Sequence, residues 1–295
     1  MGFHAGSMLP PHGDDVLFGL DFSSEIERRP VSITTPEAVS TDERDRLRCL
    51  CDAQGFAFFR VAPEIVSPQT MAGIADSLGL GLAFVPPYLK KFGIEAASAA
   101  GITIVGGSGG AIQSEYGAHN AFQTSDEQRI HCDGTVQPIG LIKTSLLLCK
   151  HPGASGGEST FFNSLGFFRY CTEQYPDVAE ALLHPASLKR AVVSDPDSPY
   201  IGPAFAVIDG LLASRLSHDS VTDWSYGIAR LAALERIEGL LTTYAAPGSR
   251  FFYQTLMGPG EGVIMANTRI SHGRTAYTNG VPPREMLRGL YLHRL

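Results

Sequence analysis

Apolar residues along the chain fall into two spacings, one helical and one alternating. Pro36 to Ala53 predicts a helix, with Pro near its start, acidic residues early, and Leu47, Leu50 and Cys51 on one side. Gly55 ends it, and Gln54-Gly-Phe-Ala-Phe-Phe-Arg60 predicts a passage into a strand. Gln69 to Leu78 predicts a second short helix, because Met71, Ile74, Ala75 and Leu78 sit at i, i+3, i+4 and i+7. Gly140 to Leu148 and Thr160-Phe161-Phe162 predict buried strands, joined by a turn from Pro152 to Gly157. Leu165 to Leu183 predicts two short helices split at Pro176. Ile228 to Tyr244 predicts a longer one, its stripe being Ile228, Leu231, Leu234, Ile237, Leu241 and Tyr244. Strands return at Phe205 to Ile208, Gly262 to Ala266 and Leu287 to Leu292.

Strands on both sides of a helical stretch fit a mainly β chain with a jelly-roll core and packed helices. Residues 1–15, with Gly2, Gly6, Pro10, Pro11 and Gly13, show no apolar period and predict a flexible N-terminal arm. Residues 16–295 then form a single domain with a helical insertion around 164–246. From Gly101 to Gly117 the chain is rich in small residues, notably Gly106-Gly107-Ser108-Gly109-Gly110. A phosphate-cradling loop needs a following Lys, which is lacking, so this stretch predicts either a mobile loop closing over a ligand or a plain surface connection.

Composition narrows the partners. With 295 residues and 44% hydrophobic content the chain can bury a large core. A net charge of -7 argues against nucleic acid or an anionic membrane and in favour of a small molecule. Cys49, Cys51, Cys132, Cys149 and Cys171 form an odd set without CxxC spacing and predict free thiols in a reducing cytoplasm. No apolar run approaches the length of a membrane-spanning helix.

Against this background one constellation carries chemistry. Residues two apart on a strand share a face, so His131 and Asp133 can bind one metal ion while Cys132 turns away. His272 is the candidate third ligand. Two imidazoles and one carboxylate leave three positions open, as a non-heme Fe(II) oxygenase requires. A lone His-x-Asp arises readily by chance, so the weight lies in what accompanies it. Gly156-Gly157-Glu158-Ser159-Thr160-Phe161-Phe162-Asn163 follows, then His272-Gly-Arg, then Arg284 and Arg288 in a final apolar run. Asn267 and Arg274 flank the distal histidine and are candidates to orient it or to finish a turn. His119, His151, His184 and His218 lack partner spacing and read as surface or satisfied histidines. Trp224 and Tyr226 fall in a segment able to line a substrate pocket.

These motifs, in this order, resemble the taurine dioxygenase-like (TauD/TfdA) family of Fe(II)/2-oxoglutarate-dependent oxygenases, related to clavaminate synthase-like enzymes. The resemblance extends from about Leu47 to the C-terminus. One departure is Asn163, where the family often carries Asp. The resemblance implies a double-stranded β-helix (jelly-roll, cupin-like) core and Fe(II) on His131, Asp133 and His272. It further implies 2-oxoglutarate and O2 as co-substrates, release of succinate and CO2, and hydroxylation of an unactivated C–H bond as the default outcome. Arg284, twelve positions beyond His272, matches the family's arginine for the far carboxylate of 2-oxoglutarate, a group that its planar fork suits. Ser159 or Thr160 would add a hydroxyl to the same carboxylate. Arg288 lies four residues further on, about 13 Å along the same strand face at roughly 3.3 Å per residue. In related enzymes such an arginine often meets an acidic group of the substrate. That implies a carboxylate-bearing small molecule such as an amino acid or a natural-product intermediate, with a structural ion pair as the competing role.

Three other outcomes share the same iron chemistry: desaturation, epoxidation and cyclisation. Halogenation is disfavoured, since those relatives replace the carboxylate ligand and Asp133 is present. A non-catalytic, cupin-like metal-binding barrel is a further reading, opposed by Arg284 and the Gly156-Gly157 motif. Both a monomer and a homo-oligomer are compatible with the sequence.

Overall fold

The computed structural model describes residues 16–87, 101–106, 124–192, 195–219, 222–224 and 231–295. The N-terminal arm, most of the glycine-rich loop, His119, Tyr226 and Ile228 lie outside the described residues. Among the described residues the α-helices are α1 (Thr41–Gln54), α2 (Pro68–Ser77), α3 (Ser164–Gln174), α4 (Pro176–Leu182) and α5 (Ile237–Tyr244). The first begins later than Pro36. Ser40 and Glu43 form a reciprocal capping box: the Glu43 N–H donates to Ser40 Oγ at 3.3 Å and the Ser40 N–H to Glu43 Oε2 at 2.7 Å. This cap separates α1 from a 3-10 turn at Pro36–Ala38. The stripe expected from Ile228 is likewise shorter among the described residues, where a 3-10 turn at Ala232–Arg236 leads into α5, but Leu234, Ile237 and Leu241 are buried.

In chain order the strands start with β1 (Val31–Ser32), β2 (Phe56–Arg60), β3 (Thr103–Gly106), β4 (Gln128–His131), β5 (Thr144–His151), β6 (Ser155–Gly156) and β7 (Ser159–Phe162). The middle region adds β8 (Leu188–Val192), β9 (Asp195–Gly202), β10 (Phe205–Ile208), β11 (Leu211–Ser214) and β12 (Thr222–Asp223). The last part supplies β13 (Phe252–Thr255), β14 (Glu261–Ala266), β15 (Ser271–Arg274), β16 (Tyr277–Thr278) and β17 (Glu285–Tyr291). Six form one sheet in the order β1-β2-β14-β5-β17-β3, and four form another in the order β13-β7-β15-β4. These are the two walls of a jelly-roll core, mainly β with helices outside.

The side-chain period of two sorts residues between the walls and the helices. On β2, Phe56 and Phe58 join the core between the sheets, while Ala57 and Phe59 pack with Leu47, Leu50, Met71 and Ile74 of α1 and α2. Phe56 and Phe161 stack across the gap with ring centroids 4.3 Å apart. Gly55, at φ 83°, lets α1 turn into β2, and a Cβ there would come 2.5 Å from Ile270 Cγ2.

The stretch 164–246, read from the sequence as a helical insertion with a strand at Phe205 to Ile208, carries more strands than that one. Helices stand at its two ends, and β8 to β12 lie between them in a three-stranded sheet, β12-β8-β9, and a hairpin, β10-β11. The hairpin turns on Asp209-Gly210, both at positive φ, a pair suited to a two-residue turn. Among the described residues no helix is long and apolar enough to cross a membrane. The five cysteines are unpaired, with Cys49 exposed and the others buried.

Candidate metal centre

Strand register brings the ligand candidates together. In the pairing of β4 with β15, His131 and His272 stand directly opposite each other, and their ring centroids lie 4.7 Å apart. Asp133 follows β4 in a turn that Asn267 clamps. The Asp133 N–H donates to Asn267 Oδ1 at 2.8 Å, and Asn267 Nδ2 donates to the carbonyls of Asp133 and Ile142, each at 3.0 Å. Gly134 continues the turn at φ 70°, where a Cβ would meet Ile142. One ligand atom from each of His131, Asp133 and His272 lies within 4.8 Å of the others, and all three residues are buried.

The electrostatics suit a cation. Burial lowers the pKa of both imidazoles, His272 down to about 3, so both are neutral with a lone pair to offer. His131 Nδ1 donates to the Arg129 carbonyl at 3.0 Å, which turns the Nε2 lone pair toward the centre. Burial by itself would raise the Asp133 carboxyl. Arg288, then His272 and His131, outweigh it and hold the group well below the usual carboxylate range. Arg288 donates to Asp133 Oδ1, while Asp133 Oδ2 is buried without a hydrogen bond, 3.6 Å from His272 Nε2. An orphaned carboxylate oxygen beside two neutral imidazoles fits a divalent metal.

Of the two roles that the sequence left open for Arg288, a substrate contact and a structural ion pair, the structure has the ion pair. Arg288 crosses from the six-stranded sheet to a ligand candidate on the other wall and makes a buried ion pair there. Arg284 lines a cleft together with Cys149, Gly157, Ser159, Met257 and Met286. Its Nη1 is buried and makes no hydrogen bond, and burial lowers its pKa. Arg274 and Arg284 share one aromatic neighbour, their Cζ atoms lying 4.6 and 5.0 Å from the Tyr277 ring centroid. A Cβ on Gly157 would come 3.2 Å from Arg284 Nε, so this glycine leaves room for the guanidinium.

Of the two hydroxyl candidates, Ser159 lies in this cleft and Thr160 does not. Phe161 faces the core between the sheets, and Ser159, two residues before it, shares that face. Thr160 takes the opposite face with Phe162, which packs on Phe167 of α3. Asn163, the departure from the family pattern, caps α3: its Oδ1 accepts from the Gly166 N–H at 2.8 Å. Cys132 is buried, its thiol pushed up to about 11 by burial, and faces Ser271. Trp224 is core, and His218 is half-buried with its pKa lowered by burial. The joint placement of Arg274, Tyr277 and Arg284 escaped the sequence reading. Its signal was an aromatic three residues after Arg274 in the same motif.

The model of the taurine catabolism dioxygenase TauD, TfdA family matches residues 17–291. A uridine-5'-phosphate dioxygenase from Amycolatopsis sp is 30% identical over 268 residues, covering 90% of this chain and 94% of the relative. A second, from Streptomyces sp, is 29% identical over 253 residues, covering 82% and 87%. Among solved structures, asparagine oxygenase in complex with Fe(II), 3-hydroxyasparagine and succinate has a TM-score of 0.55 at 14% identity, covering 99% of this chain and 92% of the other. The non-heme iron oxygenase OrfP in complex with Fe, succinate and (3S)-hydroxy-L-Arg has a TM-score of 0.60 at 13% identity, covering 86% and 81%.

Proposed function

The chain belongs to the TauD/TfdA family of Fe(II)/2-oxoglutarate-dependent oxygenases, and from that premise we propose that it oxidises a C–H bond of a nucleoside monophosphate of the uridine 5'-phosphate kind. The observation that carries this reading is the similarity to two uridine-5'-phosphate dioxygenases over most of both chains. The structural neighbours, at 13 to 14% identity, share the fold and do not choose the substrate.

In this reading His131, Asp133 and His272 hold the Fe(II). Arg288 keeps Asp133 ionised and engages one of its oxygens, which leaves the other for the metal. Asn267 fixes the backbone that presents Asp133. Arg284 receives the far carboxylate of 2-oxoglutarate with help from Ser159, since its buried Nη1 lacks a hydrogen-bond partner among the described residues. Iron and 2-oxoglutarate, when bound, supply O2-dependent oxidation with release of succinate and CO2, and hydroxylation is the expected outcome. The surrounding Phe and Met side chains exclude water from this chemistry.

The test is succinate release with Fe(II), 2-oxoglutarate and O2, comparing uridine 5'-phosphate, uridine and a panel of amino acids. Uridine 5'-phosphate is expected to raise succinate formation in proportion to its own consumption. Succinate that rises with an amino acid, and not with the nucleotide, contradicts the reading.

A further inference from the structure

The middle region carries a second pair of buried arginines that neither the metal centre nor the Arg284 cleft uses. Arg190, on β8, is 6% exposed and Arg215, just after β11, is 2% exposed. The Arg190 guanidinium is held by three groups. Nε donates to Thr135 Oγ1 at 3.0 Å, and Nη1 donates to Thr222 Oγ1 at 2.7 Å and to Asp219 Oδ1. Its Nη2 makes no hydrogen bond among the described residues. Arg215 donates through Nη2 to the Leu188 carbonyl at 3.1 Å and lies 4.7 Å from the Tyr200 ring centroid. The Nε and Nη1 of Arg215 are buried without a hydrogen-bond partner among the described residues.

Backbone contacts place this pair against the metal centre. The His218 N–H donates to the Ile130 carbonyl at 2.8 Å, so the segment after β11 runs along β4 and sets Asp219 beside His131. Thr135 lies two residues beyond Asp133. Bonded to both Asp219 and Thr135, Arg190 ties the segment after β11 to the turn that presents Asp133.

The charges there are unbalanced. Arg190 and Arg215 are close enough to repel each other, and Asp219 is the carboxylate that Arg190 engages. A second buried guanidinium with no counter-ion among the described residues is unfavourable alone and becomes favourable when an anion arrives. The other buried arginines near the centre have assignments: Arg288 meets Asp133, and Arg274 and Arg284 flank Tyr277 in the cleft.

We propose that Arg190, backed by Arg215, is the residue that reads the substrate's phosphate, docking it beside the metal-ligand turn. The inference rests on the nucleotide reading above and names the residues that would enforce it. A guanidinium already oriented by Thr135, Thr222 and Asp219 can offer its remaining N–H groups to a phosphate with little loss of side-chain freedom.

The experiment uses the enzyme loaded anaerobically with Fe(II) and 2-oxoglutarate, whose visible charge-transfer band shifts when a substrate enters. Uridine 5'-phosphate and uridine are titrated into the wild type, Arg190→Lys, Arg190→Gln and Arg215→Met. The wild type is expected to prefer the nucleotide. Arg190→Gln is expected to weaken nucleotide binding by roughly 10- to 100-fold while leaving uridine unchanged. Arg190→Lys falls between, and Arg215→Met loses less in the same direction. An Arg190→Gln enzyme that keeps the wild-type preference overturns the assignment. So does loss of the band in both Arg190 variants, or an equal loss for both ligands, since the guanidinium would then only buckle the turn. A wild-type band that neither ligand moves overturns the substrate reading and this assignment together.

Discussion

Two arginines four residues apart, Arg284 and Arg288, are almost equally buried, at 5% and 6% exposure, yet they meet opposite surroundings. Arg288 meets the Asp133 carboxylate, and the two charges cancel inside the barrel. In the Arg284 cleft Nη1 has no hydrogen-bond partner, Tyr277 lies alongside, and Arg274 adds a second positive charge. The first arrangement gives the Arg288 guanidinium its counter-ion within the fold, and its removal should injure the fold. The second is a poor one for folding alone, and its removal should injure binding.

Breaking the paired end should have the largest effect. Asp133→Ala is expected to abolish iron binding and activity. Arg288→Met, by stranding the carboxylate, should destabilise the metal-free protein by roughly 3–5 kcal/mol. Urea unfolding measures this, and Asp133→Leu combined with Arg288→Met should recover much of the loss. Next comes the unpaired end, where Arg284→Met should raise the KM for 2-oxoglutarate about 10- to 100-fold. In urea the same variant should be as stable as the wild type or more so, and a loss comparable to that of Arg288→Met would erase the contrast between the two ends.

Asn267→Ala should be milder in stability, at about 2 kcal/mol, because it strands the Asp133 N–H and two carbonyls that Asn267 satisfies. Iron affinity, followed by competition with a chelator, should fall alongside. The smallest effect is that of pH on the metal-free protein. Folding lowers His272 to about 3, below its unfolded value near 6.5, so on acidification the unfolded chain takes up the proton first. Stability should therefore drop between pH 7 and 5.5, by about 1 kcal/mol from His272, and His272→Gln should flatten the curve. Asp133 acts in the same sense at lower pH: its folded-state pKa is also lowered, so its contribution is present above about pH 4 and lost only below, outside that window.

The unequal legibility of these features has physical causes. His131 and Asp133 were readable from their spacing, although Asp133 stands in the turn after β4 and is presented by Asn267 instead of by the strand pleat, and β14 was readable because Val263, Ile264 and Met265 form an unbroken apolar run. Ser159 and Thr160 were not separable, since choosing between neighbours requires knowing which face of β7 meets the core, and Phe161 settles that only by stacking on Phe56. Arg288 was ambiguous because its partner lies on the opposite sheet, 155 positions away in the chain. At the N-terminus Pro36 and Ser40 both signal a helix start, and the capping box with Glu43 decided in favour of Ser40. The strands of the middle region were underestimated, although Asp209-Gly210 between two apolar runs was a hairpin signal in plain view. Tyr277 gained its role only when β15, the turn after it and the start of β17 brought Arg274 and Arg284 to one ring.

The most direct measurement is an anaerobic titration of the metal-free protein with Fe(II) and then 2-oxoglutarate, followed by the visible charge-transfer band in the wild type, Asp133→Ala and Arg284→Met. The wild type should develop the band with one iron per chain, Asp133→Ala should show none, and Arg284→Met should reach it only at higher 2-oxoglutarate. Bound iron without a band in the wild type, or a band that survives in Asp133→Ala, would contradict the account of the centre and its cleft.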